Sequence, residues 1–369
     1  MTAAALQGTP PNATGRPRVR RLIGWGVAAT AFLLGALAIA IVVTESVGVQ
    51  GTLLGLVVST TAIAVVLPLF LWVDRLEAEP ARMMWFAFLW GALIATSASL
   101  VTNTIASLVF AGLGFDPDLA TAVIAAPVNE ELFKGLGLLV IFLFARREFN
   151  GVVDGIAYAG VIAIGFAYVE DILYLGQNFR DLGQEGLIAT FIVRCLLTPF
   201  AHPMFTVCTG LAFGLIAHRR RWAFGWVPLI GYAVAVAGHA AFNLSLGQGM
   251  IALGLLWIPL FIGFLLIVGF ARRSEVRMMR EHLTGYGLNG WFSPAEVAML
   301  VSPSERRRAR GWAKSAHGLA GASAMRSFQD EAAELAIARE HLERGDAGWR
   351  PREQRLLASV CSHRQVFAG

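Results

Sequence analysis

Four short runs carry residues that could do chemistry, and each lies inside an apolar stretch. In Pro127-Val128-Asn129-Glu130-Glu131-Leu132-Phe133-Lys134, Lys134 falls one helical turn from both Glu130 and Glu131. Paired carboxylates beside an ammonium are raw material for general acid or base catalysis. In Phe166-Ala167-Tyr168-Val169-Glu170-Asp171-Ile172-Leu173-Tyr174, the residues Phe166, Glu170 and Tyr174 share a helix face, and Asp171 is turned aside as a supporting partner. His202 is bracketed by Pro199 and Pro203, which loosen the backbone ladder around it, and Thr206 follows one turn later. His239 and Asn243 are again spaced i,i+4. Each group has a plain reading beside the chemical one. Glu130 and Lys134 could form a helix-pairing bridge, a single histidine could be a packing residue, Arg194 could snorkel, and Asp154 could cap its helix or support the site.

The background makes these groups conspicuous. The chain has 369 residues, of which 56% are hydrophobic and 15% charged. Soluble domains carry about 25% charged residues. Residues 271–369 and 1–21 hold more than half of all the charges. The long apolar middle excludes a disordered chain and a disulfide scaffold, and it argues for a membrane bundle. A charged side chain at the centre of a membrane helix costs about 2.5–3.5 kcal/mol on insertion scales, so it needs a partner, water or a function. Cys195, Cys208 and Cys361 have no CxxC spacing and read as packing residues.

The expected fold is all-α: a polytopic bundle of about eight transmembrane helices with a small helical cytoplasmic C-terminal region. The apolar stretches run near 22–43, 52–72, 84–110, 119–144, 152–175, 187–217, 222–246 and 250–270. All the chemistry-bearing residues fall in the fourth to seventh. Alternate connections are rich in arginine, including Arg75, Arg82, Arg146, Arg147, Arg219, Arg220, Arg221, Arg272 and Arg273, whereas the others hold only Arg180. The positive-inside rule then predicts a multi-pass cell-membrane protein with both termini cytoplasmic. Three regions are expected: a basic N-terminal arm at 1–21, its first 15 residues disordered; a membrane domain at 22–270, with the motif-bearing core near 120–246; and a helical region at 271–369. Within the last, Ser293-Pro294-Ala295-Glu296 predicts a helix start. The net charge of +5 suggests anionic lipid at the membrane face rather than nucleic acid.

Taken in order, Glu130-Glu131-x-x-Lys134, Asp154-Gly155, Phe166-x-x-x-Glu170-Asp171-x-x-Tyr174, His202-x-x-x-Thr206 and His239-x-x-x-Asn243 resemble the PrsW family of intramembrane proteases. That family is similar to the wider group of type II CAAX prenyl proteases and bacteriocin-processing enzymes. The resemblance covers about 120–270. It departs at Asp171, where the family usually has asparagine. It implies hydrolysis of a peptide bond in a membrane-spanning protein, with site-1 cleavage of an anti-sigma factor as the family's association. It places Glu130, Glu131, His202 and His239 in the catalytic group, and the related CAAX group suggests Asn243 as a donor on the oxyanion side.

Two versions of the chemistry fit. In one, His202 and His239, with Glu170 or one of the paired glutamates, hold zinc and leave a position open for water, while the other glutamate is the base. In the other, no metal is needed: Glu130 or Glu131 with a histidine activates water, and Asn243 and His239 stabilise the oxyanion. No HExxH, GxSG or GxGD motif is present. The rival reading is a proton-coupled transporter built on the same buried groups. Neither the inverted repeats nor the paired broken helices that such transporters often show are evident.

Overall fold

The computed structural model describes residues 16–146, 148–217 and 225–368, and among these it is helical with no strand. Expectations for residues 1–15, Arg147 and Arg219 to Arg221 lie outside the described residues. Five stretches are long and apolar enough to cross a membrane: Gly26–Val73, Ala81–Gly112, Val152–Ala217, Trp226–Gly247 and Met250–Leu288. The chain is a multi-pass helical membrane protein by this measure.

The first stretch belongs to helix α1 (Arg16–Val73), which is broken at Gly48 with φ 70°. A left-handed φ suits glycine, which has no Cβ to clash. The break separates two arms. Before it, Ile39, Val43 and Val47 pack with Val169 and Ile172. After it, Gly51 abuts Gly176, Gly55 abuts Ile172, and Phe70 fills the space over Gly160. The contacts thus climb one partner helix and come back down it, so the arms are antiparallel. They correspond to the expected stretches 22–43 and 52–72.

That partner is α6 (Val152–Thr190), the hub of the bundle. The stretch containing it is 83% buried over its most apolar window, against 17–39% for the other four. It is broken at Gly183 and followed by a π-helical turn, Phe191–Leu197, and then α7 (Ala201–Ala217). The chain between the turn and α7 leaves the helix at Thr198, beside Pro199, as the two prolines predict. Helix α7 runs back along α6. A Cβ on Gly155 would lie 2.1 Å from the Gly210 carbonyl, so the two backbones touch there and nothing larger than glycine fits. Around this hub stand α2 (Ala81–Leu89) and α3 (Thr96–Gly112), joined by a π turn at Trp90–Ala95; α4 (Pro117–Ala120) and α5 (Ala126–Phe144), joined by another at Thr121–Ala125; and α8 (Trp226–Gly247).

Helix α9 (Met250–Leu288) does not stop at residue 270. It continues, changes from all-apolar to amphipathic, and buries Met279, Leu283 and Tyr286 in a second core with α10 (Pro294–Leu300), α11 (Pro303–Glu343) and α12 (Arg350–Ala368). At the expected helix start, Ser293 and Glu296 form a capping box.

Candidate functional site

Four elements bring the singled-out residues together. Helix α5 contributes Glu130, Glu131 and Lys134, all buried. Helix α6 contributes Glu170, α7 contributes His202 and Thr206, and α8 contributes His239. The close approach of α6 and α7 at Gly155 and Gly210 lets His202 reach across to Glu170, with Nε2 and Oε2 2.7 Å apart. Phe166 and Phe205 form apolar walls, their rings 5.4 Å from His202 and 5.3 Å from His239.

Hydrogen-bond inventory fixes which nitrogens carry protons. Lys134 Nζ lies 2.9 Å from Glu131 Oε1 and 3.0 Å from His202 Nδ1. An ammonium can only donate, so His202 Nδ1 accepts and Nε2–H donates to Glu170. His239 Nδ1 lies 3.1 Å from Glu131 Oε1, and a carboxylate accepts, so Nδ1–H donates. Thr206 Oγ1 donates to Glu131 Oε2 at 2.9 Å. Glu131 is therefore saturated with donors. Glu130 is not: its buried Oε2 has no hydrogen-bond partner. It faces His239 Nε2 at 3.9 Å, His202 Nδ1 at 4.0 Å and Lys134 Nζ at 3.5 Å. A water between Glu130 and His239 could donate to both acceptors at once. A buried polar atom without a partner marks the place where something else belongs.

Glu130, His202 and His239 each offer one ligand atom, all within 4.8 Å of one another. Two imidazoles and a carboxylate are a suitable donor set for zinc. The charges also favour a cation. Among the described residues, the Lys and Arg partners of Glu130, Glu131, Glu170 and Asp171 are Lys134 and Arg194, and uncompensated buried charge is costly. The set thus fits a metal, with one condition: an ion bound to His202 Nδ1 must take that lone pair from Lys134. Among the expected ligands, Glu170 stands apart, on the other nitrogen of His202.

The remaining expected residues fall as follows. Asp171 pairs with Arg194, which also grips Glu170 and lies 4.3 Å from the Tyr174 ring. Arg194, read from sequence as a snorkelling residue, is instead built into the site. Two carboxylates on the preceding apolar stretch were the available signal. Asp154 lies away from this group and accepts from the Asn150 and Gly151 backbone amides, so it caps α6. Asn243 donates to the Ala122 carbonyl at 2.8 Å, where the π turn frees that oxygen, and among the described residues it has no hydrogen bond to the cluster.

Residues 79–270 match the family model described as PrsW family intramembrane metalloprotease. The chain is 31% identical over 159 residues to a protease PrsW of Geobacillus kaustophilus (strain HTA426), covering 42% of this chain and 65% of the relative. It is 30% identical over 139 residues to a protease PrsW of Clostridioides difficile (strain 630), covering 37% and 55%. A third, from Halalkalibacterium halodurans, is 27% identical over 175 residues, covering 45% and 71%. The chain thus spans a little under two thirds of the first of these relatives and just over half of the second. No solved structure matches it. With the family model covering half the chain and all four motif-bearing helices, the chain belongs to the PrsW family of intramembrane metalloproteases.

Proposed function

We propose that this protein is an endopeptidase that hydrolyses a peptide bond of a membrane-spanning protein, at a site inside the bilayer and with both of its own termini cytoplasmic. The observation that carries the reading is that Oε2 of Glu130, ion-paired with Lys134 but without a hydrogen-bond partner, faces His239 Nε2 and His202 Nδ1. Two broken apolar stretches count as two crossings each, and α4–α5 adds another; this supports eight crossings in all.

In the mechanism, Glu130 takes a proton from water as the water oxygen bonds to the scissile carbonyl carbon. His239, its Nδ1–H held by Glu131, presents Nε2 to the same space, takes up the proton that Glu130 removed from water, and passes it to the departing amine as the C–N bond breaks. Lys134 keeps a positive charge beside the developing oxyanion. Glu170 fixes the ring of His202. Asn243, tied to Ala122, holds the wall of α4–α5 in place. A metal on Glu130, His202 and His239 would supply Lewis-acid polarisation and a more acidic water. The side-chain opening lies at Glu170 and Arg194, which are 16% and 20% exposed, and it is there that a substrate segment would approach.

The first substrate to test is a single-pass anti-sigma factor, co-reconstituted with the purified protein in proteoliposomes. We expect a discrete cut, identified by mass spectrometry of both fragments, and its loss in Glu131→Gln, which removes the negative charge that His239 and Lys134 share and replaces one accepting oxygen with a donor. Unchanged cutting by Glu131→Gln would contradict the assignment. Metal content of the same preparation, measured before and after chelation, decides whether the donor set is filled in the active protein.

A further inference from the structure

The second apolar arm of α1 ends at Val73, just past the exposed Leu71 and Trp72. Tryptophan is common at the level of lipid headgroups. Arg75 follows directly. Here the C-terminal unit touches the bundle: Arg306 Nη1 of α11 donates to the Leu76 carbonyl at 2.5 Å. The same face of α11 carries Arg307 and Arg310, and the returning half of the helix brings Arg326 alongside. Arg310 Nη1 donates to Gln329 Oε1 at 2.8 Å. Desolvation and the like charges of Arg326, Arg75 and Arg307 all press the Arg310 pKa downward. The nearby carboxylate, Asp330, opposes this; it is paired with Arg306 at 2.8 Å and also attracts Arg310 and Arg326. Among the described residues, none of Arg75, Arg307, Arg310 and Arg326 has a carboxylate within ion-pair distance. Arg307 and Arg326 are exposed, and Arg75 and Arg310 are half-buried.

With Arg306, these four arginines share the single carboxylate of Asp330, so they keep an excess of positive charge that a further anion would offset. Their place at the end of an apolar arm, beside an exposed tryptophan, says which anion is at hand. We propose that Arg75, Arg307, Arg310 and Arg326 form a binding site for the phosphodiester headgroup of an anionic phospholipid, which clips the C-terminal helical unit to the membrane face. Guanidinium groups suit this ligand because their paired donors match phosphate oxygens. The site is independent of the catalytic reading and is tested without a cleavage assay.

Full-length protein is exchanged into micelles containing equal phosphatidylglycerol and phosphatidylcholine, and the lipids retained are counted by native mass spectrometry. The wild type is expected to retain phosphatidylglycerol in preference. Arg326→Gln, at an exposed side chain that makes no ion pair within 4.0 Å among the described residues, is expected to weaken that preference about fivefold, the value of one arginine near a charged surface. Arg75→Gln/Arg310→Gln/Arg326→Gln is expected to abolish it, and the triple lysine variant to restore most of it. Equal retention of the two lipids by the wild type, or an unchanged preference in Arg326→Gln, would overturn the proposal. So would displacement of the lipid by inorganic phosphate at millimolar concentration, which would assign the arginines to a free anion.

Discussion

Arg194 bridges Glu170 and Asp171 and lies against Tyr174, so its removal leaves two carboxylates buried side by side. Breaking a buried pair by deleting one partner costs about 3–5 kcal/mol. Partial exposure of this cluster places Arg194→Gln at the low end, near 3 kcal/mol, with loss of the Glu170–His202 alignment as well. Asp171→Asn removes one of the two competing charges and keeps Arg194 on Glu170, so it should change stability little. Thermal unfolding of the two variants in detergent checks the ordering. The motif residues themselves were legible in the sequence because charge is conspicuous among apolar residues. Arg194 was misread because periodicity along one helix does not tell which charges another helix delivers. Nor does spacing reveal that Asn243 faces a freed backbone carbonyl, since the π turn at Thr121–Ala125 has no compositional signal.

At the scale of elements, the site depends on how closely α6 and α7 approach. Gly155→Ala places a methyl against the Gly210 backbone, which has no side chain to swing away. Overpacking of this kind costs about 1–3 kcal/mol. The variant should lower the unfolding temperature, and it should also lower turnover by separating His202 from Glu170. Gly263→Ala, at a position with nothing within 4 Å, is the control and should do neither. The five stretches long and apolar enough to cross a membrane overlap seven of the eight expected ones, because lipid and helix length demand long apolar runs; 119–144 is helical but is not among the five. Helix α9 exceeded its expected end because its pattern switches from all-apolar to amphipathic without a breaker, and a helix needs no pause at that change.

For the whole molecule, the junction between the bundle and the C-terminal unit is the part least visible in sequence. The short segment after α1 buries Asp74 and Glu79 beside α6. Asp74 accepts from the Glu79 amide, Glu79 accepts from Tyr158, and Glu77 accepts from Asn150. Arg272, Glu275 and Glu334 face the same cluster. Burial first, and then neighbouring carboxylates, push Asp74 up to about 8 and Glu79 to about 11, and raise Glu77 as well. A carboxyl whose pKa is raised by folding holds its proton more tightly in the folded state. Its contribution is fully present below about pH 4, the ordinary carboxylate value, and is lost as pH rises through its folded pKa. The junction should therefore loosen between about pH 4 and pH 8 as Asp74 titrates. Hydrogen exchange of α11 across that range, divided by the intrinsic base-catalysed rate at each pH, should rise with pH in the wild type and rise less in Asp74→Asn. A flat wild-type profile would contradict the assignment.

The central claim is that Glu130, with His202 and His239, forms one water-activating centre. Its most direct test is single-turnover cleavage of a membrane-spanning reporter by purified Glu130→Gln, beside wild type of matched thermal stability. General-base assistance contributes about 10²–10⁴-fold, so the variant should cut at least a hundredfold more slowly while still binding the reporter. Cutting at the wild-type rate would mean that the orphaned oxygen of Glu130 takes no part in the chemistry.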